Sequence, residues 1–258
     1  MNLKLSTLLI LTALIISCQN TPTSTKTKAS PDVPTRVIKD KKAANLVSKM
    51  MNKMGGEKKW AELKYVSWTF FGARHLVWDK VNNRVRIESP RDSSGYLVNL
   101  NETTGRYAYN GQELLEKEAL SEKMQAGKSI WINDMYWLFM PFKLYDEGVT
   151  VKHKRTDTSL IGAPSDVLEL RFDNVGDTPE NKYEIYLDQQ DNLIKQWDFY
   201  AKAKQDKPSK QWPWDNYTDF NGLLLSSDRS DNGGPSNVKI YEELDDKVFT
   251  SFEKFTFY

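Results

Sequence analysis

From Tyr65 onward the apolar residues of this chain recur at every second position. Val66, Trp68 and Phe70 alternate with Ser67 and Thr69, and Val85 and Ile87 with Arg84, Arg86 and Glu88. Leu168, Leu170 and Phe172 alternate with Glu169 and Arg171, and Tyr183, Ile185 and Leu187 with Lys182, Glu184 and Tyr186. Successive side chains of a strand point to opposite faces, so the pattern predicts antiparallel strands with one buried face each. Turn-forming stretches separate the runs: Val81-Asn82-Asn83, residues 101–105, residues 188–192, Asn221-Gly222 and Asp245-Asp246. Their spacing predicts about 10 to 12 strands. The fold class is mainly β, with a helical minority that makes it α+β.

Two segments depart from this period. Ala43, Leu46, Val47, Met50, Met51 and Met54 recur at three- and four-residue steps. They predict a helix over residues 39–54, ended by Gly55-Gly56 where positive φ is needed. Residues 114–140 also read as helical, in two pieces broken near Gly127 and stopped before Pro141. The second piece, residues 130–140, is apolar nearly all round, which predicts a buried helix or one covering an apolar cavity. If it covers a cavity, Trp131, Trp137, Leu138 and Phe142 are the residues expected to face it. His75 is expected near the end of the first strand, and His153 on a strand face shared with Val149 and Val151.

The N-terminus specifies location. Lys4 precedes an apolar run, Leu8 to Ser17, that ends at Cys18, the single cysteine. This is the form of a secretory signal peptide, too short to cross a bilayer comfortably, where roughly 20 apolar residues are needed. Ile15-Ile16-Ser17-Cys18 resembles the lipobox of bacterial lipoproteins, and that resemblance implies a diacylated Cys18 at the mature N-terminus. A short membrane anchor and a plain signal peptide with a stray cysteine are the alternatives. Residues 18–35 are rich in Thr, Ser and Pro and nearly free of apolar residues, which predicts a disordered tether. The plan is therefore a signal peptide over 1–17, a lipidated tether over 18–35 and a single β-rich domain over 36–258, which the resemblance described below implies is a half-barrel.

Removing residues 1–17 takes one cation, Lys4, so the 36 basic residues fall to the same 35 as the acidic ones. A net charge near zero argues against nucleic acid as a partner. Both histidines lack a second ligand at metal spacing, so each reads as a satisfied, partly buried side chain. No phosphate loop, HExxH or nucleophile elbow occurs. No catalytic residue, metal site or cofactor is implied, and no protein partner is named. The loops Asp228–Gly234 and Asp173–Asp177 carry oxygen ligands that calcium accepts but lack EF-hand spacing, so solvated turns are the expectation. Trp212-Pro213-Trp214 holds two indoles apart on a rigid proline. They form either an aromatic lip for a lipid chain or sugar ring, or a loop folding its own indoles onto the core.

The order of helix, long sheet, central helical insert and return to sheet resembles the lipoprotein carriers LolA and LolB. Several segments are also similar to a family of Gram-negative cell-envelope lipoproteins of that architecture. They are Met54-Gly55-Gly56 with Trp60, Phe71-Gly72-Ala73-Arg74-His75 with Trp78-Asp79, and Asn133-Asp134-Met135-Tyr136-Trp137. Met140-Pro141-Phe142-Lys143-Leu144 with Asp146 and Gly148, and Asp215-Asn216-Tyr217 with Asn221-Gly222-Leu223, complete the set. The resemblance implies a curved, unclosed antiparallel β-barrel with helices on its concave face, in a protein held to the cell envelope, the outer membrane foremost. It supplies no catalytic residues. The expected function is binding of a lipid, acyl chain or lipidated polypeptide by Trp131, Trp137, Leu138, Phe142, Trp212 and Trp214, with Cys18 as the membrane anchor. A carbohydrate- or protein-interaction module showing its aromatics outside a filled barrel is the alternative.

Overall fold

The computed structural model describes residues 37–173 and 179–255. Cys18, the expected signal peptide and the tether lie outside these residues, as does most of the acidic loop Asp173–Asp177.

The chain begins with two helices, α1 (Lys41–Lys53) and α2 (Gly56–Glu62). The Asp40 carboxylate accepts the Lys42 and Ala43 amides at the N-terminus of α1, each at 3.0 Å. That satisfies donors a helix start leaves free. Ala43, Val47, Met50, Met51 and Met54 are buried along one stripe. Gly55, at φ +108, makes the turn between the helices, and a Cβ there would lie 2.1 Å from the Gly222 carbonyl oxygen. Glycine is therefore required by both conformation and space.

Six strands follow: β1 (Tyr65–Phe70), β2 (Arg74–Asp79), β3 (Arg84–Ser89), β4 (Ser94–Asn99), β5 (Thr104–Tyr109) and β6 (Gln112–Glu113). His75 thus belongs to the second strand, because Phe71 and Gly72 turn the chain with positive φ immediately before it. Helix α3 (Lys117–Phe139) comes next, then a 3-10 turn over Met140–Lys143. The second half contains β7 (Val149–Thr158), β8 (Pro164–Phe172), β9 (Lys182–Asp188), β10 (Ile194–Tyr200), β11 (Lys210–Pro213), β12 (Tyr217–Phe220), β13 (Leu223–Ser226) and β14 (Pro235–Tyr241), and it ends with the short helix α4 (Lys247–Thr250). Among the described residues there are fourteen strands. The excess over the expected number comes from pieces of two to four residues.

One sheet has the order β14-β1-β2-β3-β4-β5-β6 and the other β11-β10-β9-β8-β7, with β12–β13 as a separate hairpin. Their described pairings are antiparallel. The fold is mainly β with few helices, and its curved sheets do not close into a barrel. A single apolar core joins α1, α3 and the inner faces of both sheets.

Three features differ from the expectation. Helix α3 is continuous through Gly127, where a Cβ would lie 3.0 Å from both the Tyr96 ring and a Val98 methyl. The glycine serves close approach of helix to strand and does not break the helix. Second, β1 to β4 are largely buried on both faces. The polar C-terminal segment straps their outside: Arg86 donates to the carbonyls of Val248 at 3.1 Å, Ser251 at 2.8 Å and Glu253 at 2.7 Å. Val77 meets Val248 and Phe249 there. Third, the outside of the second sheet buries carboxylates that surface cations cover, such as Glu184 under the exposed Arg155 at 2.8 Å.

Helix α1 is clamped to the second sheet by charge. Asp166 accepts from Lys42 at 2.9 Å and lies 2.7 Å from His153 Nε2, while the His153 amide donates to Asp40 at 3.1 Å. Burial, the largest single influence on Asp166, raises its pKa, but Lys42 and His153 outweigh it and hold the carboxyl below its usual value. A depressed folded-state pKa stabilises the native protein above the unfolded value, and that stabilisation is lost as pH falls through the folded one. Asp166→Asn should therefore lower the melting temperature at neutral pH and flatten its decline below about pH 4. Melting curves from pH 3 to 7 check this.

Candidate functional site

The C-terminal half of α3 lies between the sheets, and on its side facing the second sheet the packing is incomplete. A cavity of about 430 Å³ opens there, within the size range of small-molecule sites. The helix contributes Trp131, Ile132, Asn133, Met135, Tyr136 and Trp137. The second sheet contributes Val149, Phe172, Tyr183 and Trp197. The polar rim runs from the end of the 3-10 turn, Lys143, to Asp146 and Glu147 beyond it. Lys143 Nζ and Asp146 Oδ2 pair across the rim at 2.5 Å. A neighbouring depression of about 280 Å³ shares Asp146, Glu147 and Val149 with the cavity and is bordered by Val37 and Ile38.

Interlocked aromatic rings hold the wall. Trp137 meets Trp197 at 4.5 Å and 66°, and Tyr183 meets Trp197 at 5.0 Å and 76°. Phe172 meets Tyr183 at 5.2 Å and 71°. Such edge-to-face pairs each add about 0.5–1.5 kcal/mol beyond area burial. The wall also carries an energetic cost. The Tyr136 hydroxyl and the Trp131 and Trp197 indole N–H groups are shut off from solvent without an acceptor among the described residues. Burial pushes the Tyr136 phenol well above its ordinary pKa, so the hydroxyl stays neutral.

Two of the six residues expected from the sequence, Trp131 and Trp137, line the cavity. Leu138 lies one heptad after Trp131, about 10 Å further along the helix, and is buried in solid core. Phe142 stacks on Trp60 at 4.9 Å and 16°. Trp212 packs against Trp137 at 4.6 Å without itself lining the cavity. Trp214 is fully buried beneath the Arg229 guanidinium, 3.7 Å from its ring centroid. Arg229 in turn donates to the Trp137 carbonyl at 2.7 Å, one of the acceptors left free at the end of α3. Trp214 therefore belongs to the core, and both indoles pack against rings that line the cavity, Trp212 on Trp137 and Trp214 on Trp197.

Sequence reading missed Phe172, Tyr183 and Trp197 as a set. Phe172 and Tyr183 stand in the alternating runs, but one-dimensional alternation does not say which strand lies opposite which helix. Asn133, Lys143 and Asp146 stand within the segments that carry the family resemblance, and that was the available signal.

Two buried carboxylates stand apart from the cavity. Burial raises the pKa of Asp134 and of Asp198. Asp134 is held by Arg74 at 2.7 Å and Asp198 by Gln196 at 2.6 Å, and neither borders the cavity. Among the described residues no three metal-ligating side chains converge. In the loop Asp228–Gly234, Asp231 accepts from the Gly233 amide at 2.9 Å. No helix among the described residues is long and apolar enough to cross a membrane.

No protein-family model matches the chain, and no curated protein does. Several solved structures are similar in fold. A DUF1329 family protein from Desulfovibrio piger is 11% identical, with a TM-score of 0.45, over 81% of this chain and 97% of its own. A putative outer membrane lipoprotein-sorting protein domain from Vibrio parahaemolyticus is 13% identical, with a TM-score of 0.43, over 81% of this chain and 96% of its own. At this distance the likeness assigns no role to any residue of the cavity.

Proposed function

We propose that this protein is a lipid-anchored protein of the bacterial cell envelope that binds a hydrophobic ligand between α3 and its second sheet. The observation that carries the reading is the cavity: an aromatic and aliphatic wall with charge confined to one rim. That distribution suits an amphiphile whose apolar part enters and whose polar part stays outside. Each buried methylene contributes about 0.8 kcal/mol, so a chain of some ten carbons reaches micromolar affinity after the cost of association. An interaction module with exposed, coplanar indoles fits less well, because Trp214 is buried and Trp137 and Trp212 meet at 71°.

Anchoring rests on Cys18. Two acyl chains anchor a protein stably where one does not, so Cys18→Ser should move the protein from the membrane fraction to the soluble one. Unchanged fractionation would refute the anchor. The released protein also tests the ligand. Organic extraction and mass spectrometry should recover an acyl lipid in near-stoichiometric amount. A protein that is lipid-free and fails to take up added acyl chains overturns the reading.

A further inference from the structure

We infer that the exposed face of α1 is a membrane-docking surface that takes anionic phospholipid head groups. The inference lies outside the cavity and needs no ligand in it. It starts from the distribution of charge. Residues 39–64 hold eight lysines against Asp40, Glu57 and Glu62, in a chain of 36 basic and 35 acidic residues. Within α1 itself there are four lysines and no acid. At about 100° per residue, Lys41, Lys42, Lys49 and Lys53 fall with Asn45 and Asn52 in one arc of roughly 120°. All six are exposed. The opposite arc carries Ala43, Val47, Met50 and Met51, which bury the helix against the core and hold the lysines outward as a fixed array.

The nearby acids are engaged elsewhere. Asp40 accepts the Lys42, Ala43 and His153 amides, and Asp166 takes the Lys42 ammonium at 2.9 Å. On α2, Glu62 lies 3.3 Å from Lys59 and 3.8 Å from Lys58. Among the described residues, Lys41, Lys49 and Lys53 pair with no carboxylate. An ordinary solvated helix sets acids three or four residues from its lysines, and α1 has none. An anionic bilayer supplies the missing charge, and each lysine near its surface strengthens binding about fivefold. Val37, 78% exposed, precedes the helix at the border of the depression beside the cavity. An apolar side chain next to cations suits a lipid interface, whereas nucleic acid offers it no apolar layer. In the reading above the acyl chains on Cys18 retain the protein, and the lysine face sets its orientation. Salt screens such a face, so it does not hold the unanchored protein on membranes at physiological ionic strength.

The test sediments the full chain carrying Cys18→Ser with vesicles at about 10 mM salt, where charges act over about 30 Å. Vesicles of phosphatidylcholine mixed with phosphatidylglycerol should bind it at least about tenfold tighter than phosphatidylcholine alone. That preference should vanish near 1 M salt, where the range falls to about 3 Å. The triple variant Lys41→Gln, Lys49→Gln, Lys53→Gln should lose at least about tenfold of the affinity for the anionic vesicles. A control triple, Lys202→Gln, Lys204→Gln, Lys207→Gln, removes the same charge from the exposed loop after β10 and should stay within about twofold of the parent. Both triples should melt with the parent, because the six side chains are exposed. Equal losses in the two triples would make binding a matter of net charge and overturn the inference, as would equal affinity for the two kinds of vesicle. Double-stranded DNA that binds tighter than the anionic vesicles at matched charge concentration would assign the face to nucleic acid and overturn it too. The cavity is untouched in both triples, so none of these outcomes bears on the ligand reading.

Discussion

Replacing Arg74 with methionine should destabilise the protein by about 3–5 kcal/mol, the usual result of stranding one member of a buried ion pair. Arg74 reaches from β2 to α3 and grips Asp134 with two bonds, at 2.7 and 2.8 Å. The Asp134 side chain is fully buried, while 28% of the Arg74 side chain remains exposed. The asymmetry sets an order. Asp134→Ala leaves an arginine that can turn to water and should cost less. Among the described residues, Arg74→Met leaves the carboxylate with the Asn133 amide, at 2.9 Å, to stabilise it. Burial already raises the Asp134 pKa in the intact protein, and without Arg74 it rises further. A raised folded-state pKa in an acid means that stability is lost as pH climbs from the unfolded value through the folded one. The deficit of Arg74→Met should therefore be smaller at acid pH than at pH 8. Urea unfolding at the two pH values measures both the size and the sign, and an equal cost for the two single variants would show that Asp134 is not desolvated as described.

The second large effect concerns ligand affinity. Val149 stands where the cavity meets the neighbouring depression, on a strand at the sheet edge. A tryptophan there projects into open space, so it should leave the melting temperature within a few degrees. It excludes roughly three methylenes of ligand, worth about 2.4 kcal/mol, which is near a fiftyfold loss of affinity. A shorter chain should recover much of that loss. If Val149→Trp binds every chain length as the parent does, the apolar part of the ligand lies elsewhere.

Most of the architecture was legible because alternation is a local signal. Val66, Trp68 and Phe70, or Leu168, Leu170 and Phe172, announce strands without reference to any other part of the chain. What was illegible depends on distant partners. Nothing about Gly127 in isolation tells a helix break from a close approach to Tyr96 and Val98. The polar C-terminus gives no hint that the carbonyls around Ser251 will hold Arg86 on the outer face of a sheet. The cavity divides in the same way. The apolar girth of residues 130–140 marked the helix that borders it, and Trp131 and Trp137 line it. Leu138 shares the azimuth of Trp131 but sits two turns on, where the core is filled. Trp197 lines the cavity from a strand whose turn toward α3 is a tertiary fact. The Trp212-Pro213-Trp214 segment was correctly unusual in composition, yet its second indole serves as a platform for a buried arginine, which only the fold reveals.

Heavy-atom quenching tests the cavity most directly, because Trp131, Trp137 and Trp197 all border it. A single-chain lipid brominated near mid-chain should quench part of the tryptophan emission saturably, with a micromolar midpoint, and the unbrominated lipid should compete it away. Val149→Trp should shift that midpoint by more than tenfold. Quenching that rises linearly without saturation, or that the unbrominated lipid does not displace, would contradict a ligand chain seated between α3 and the second sheet.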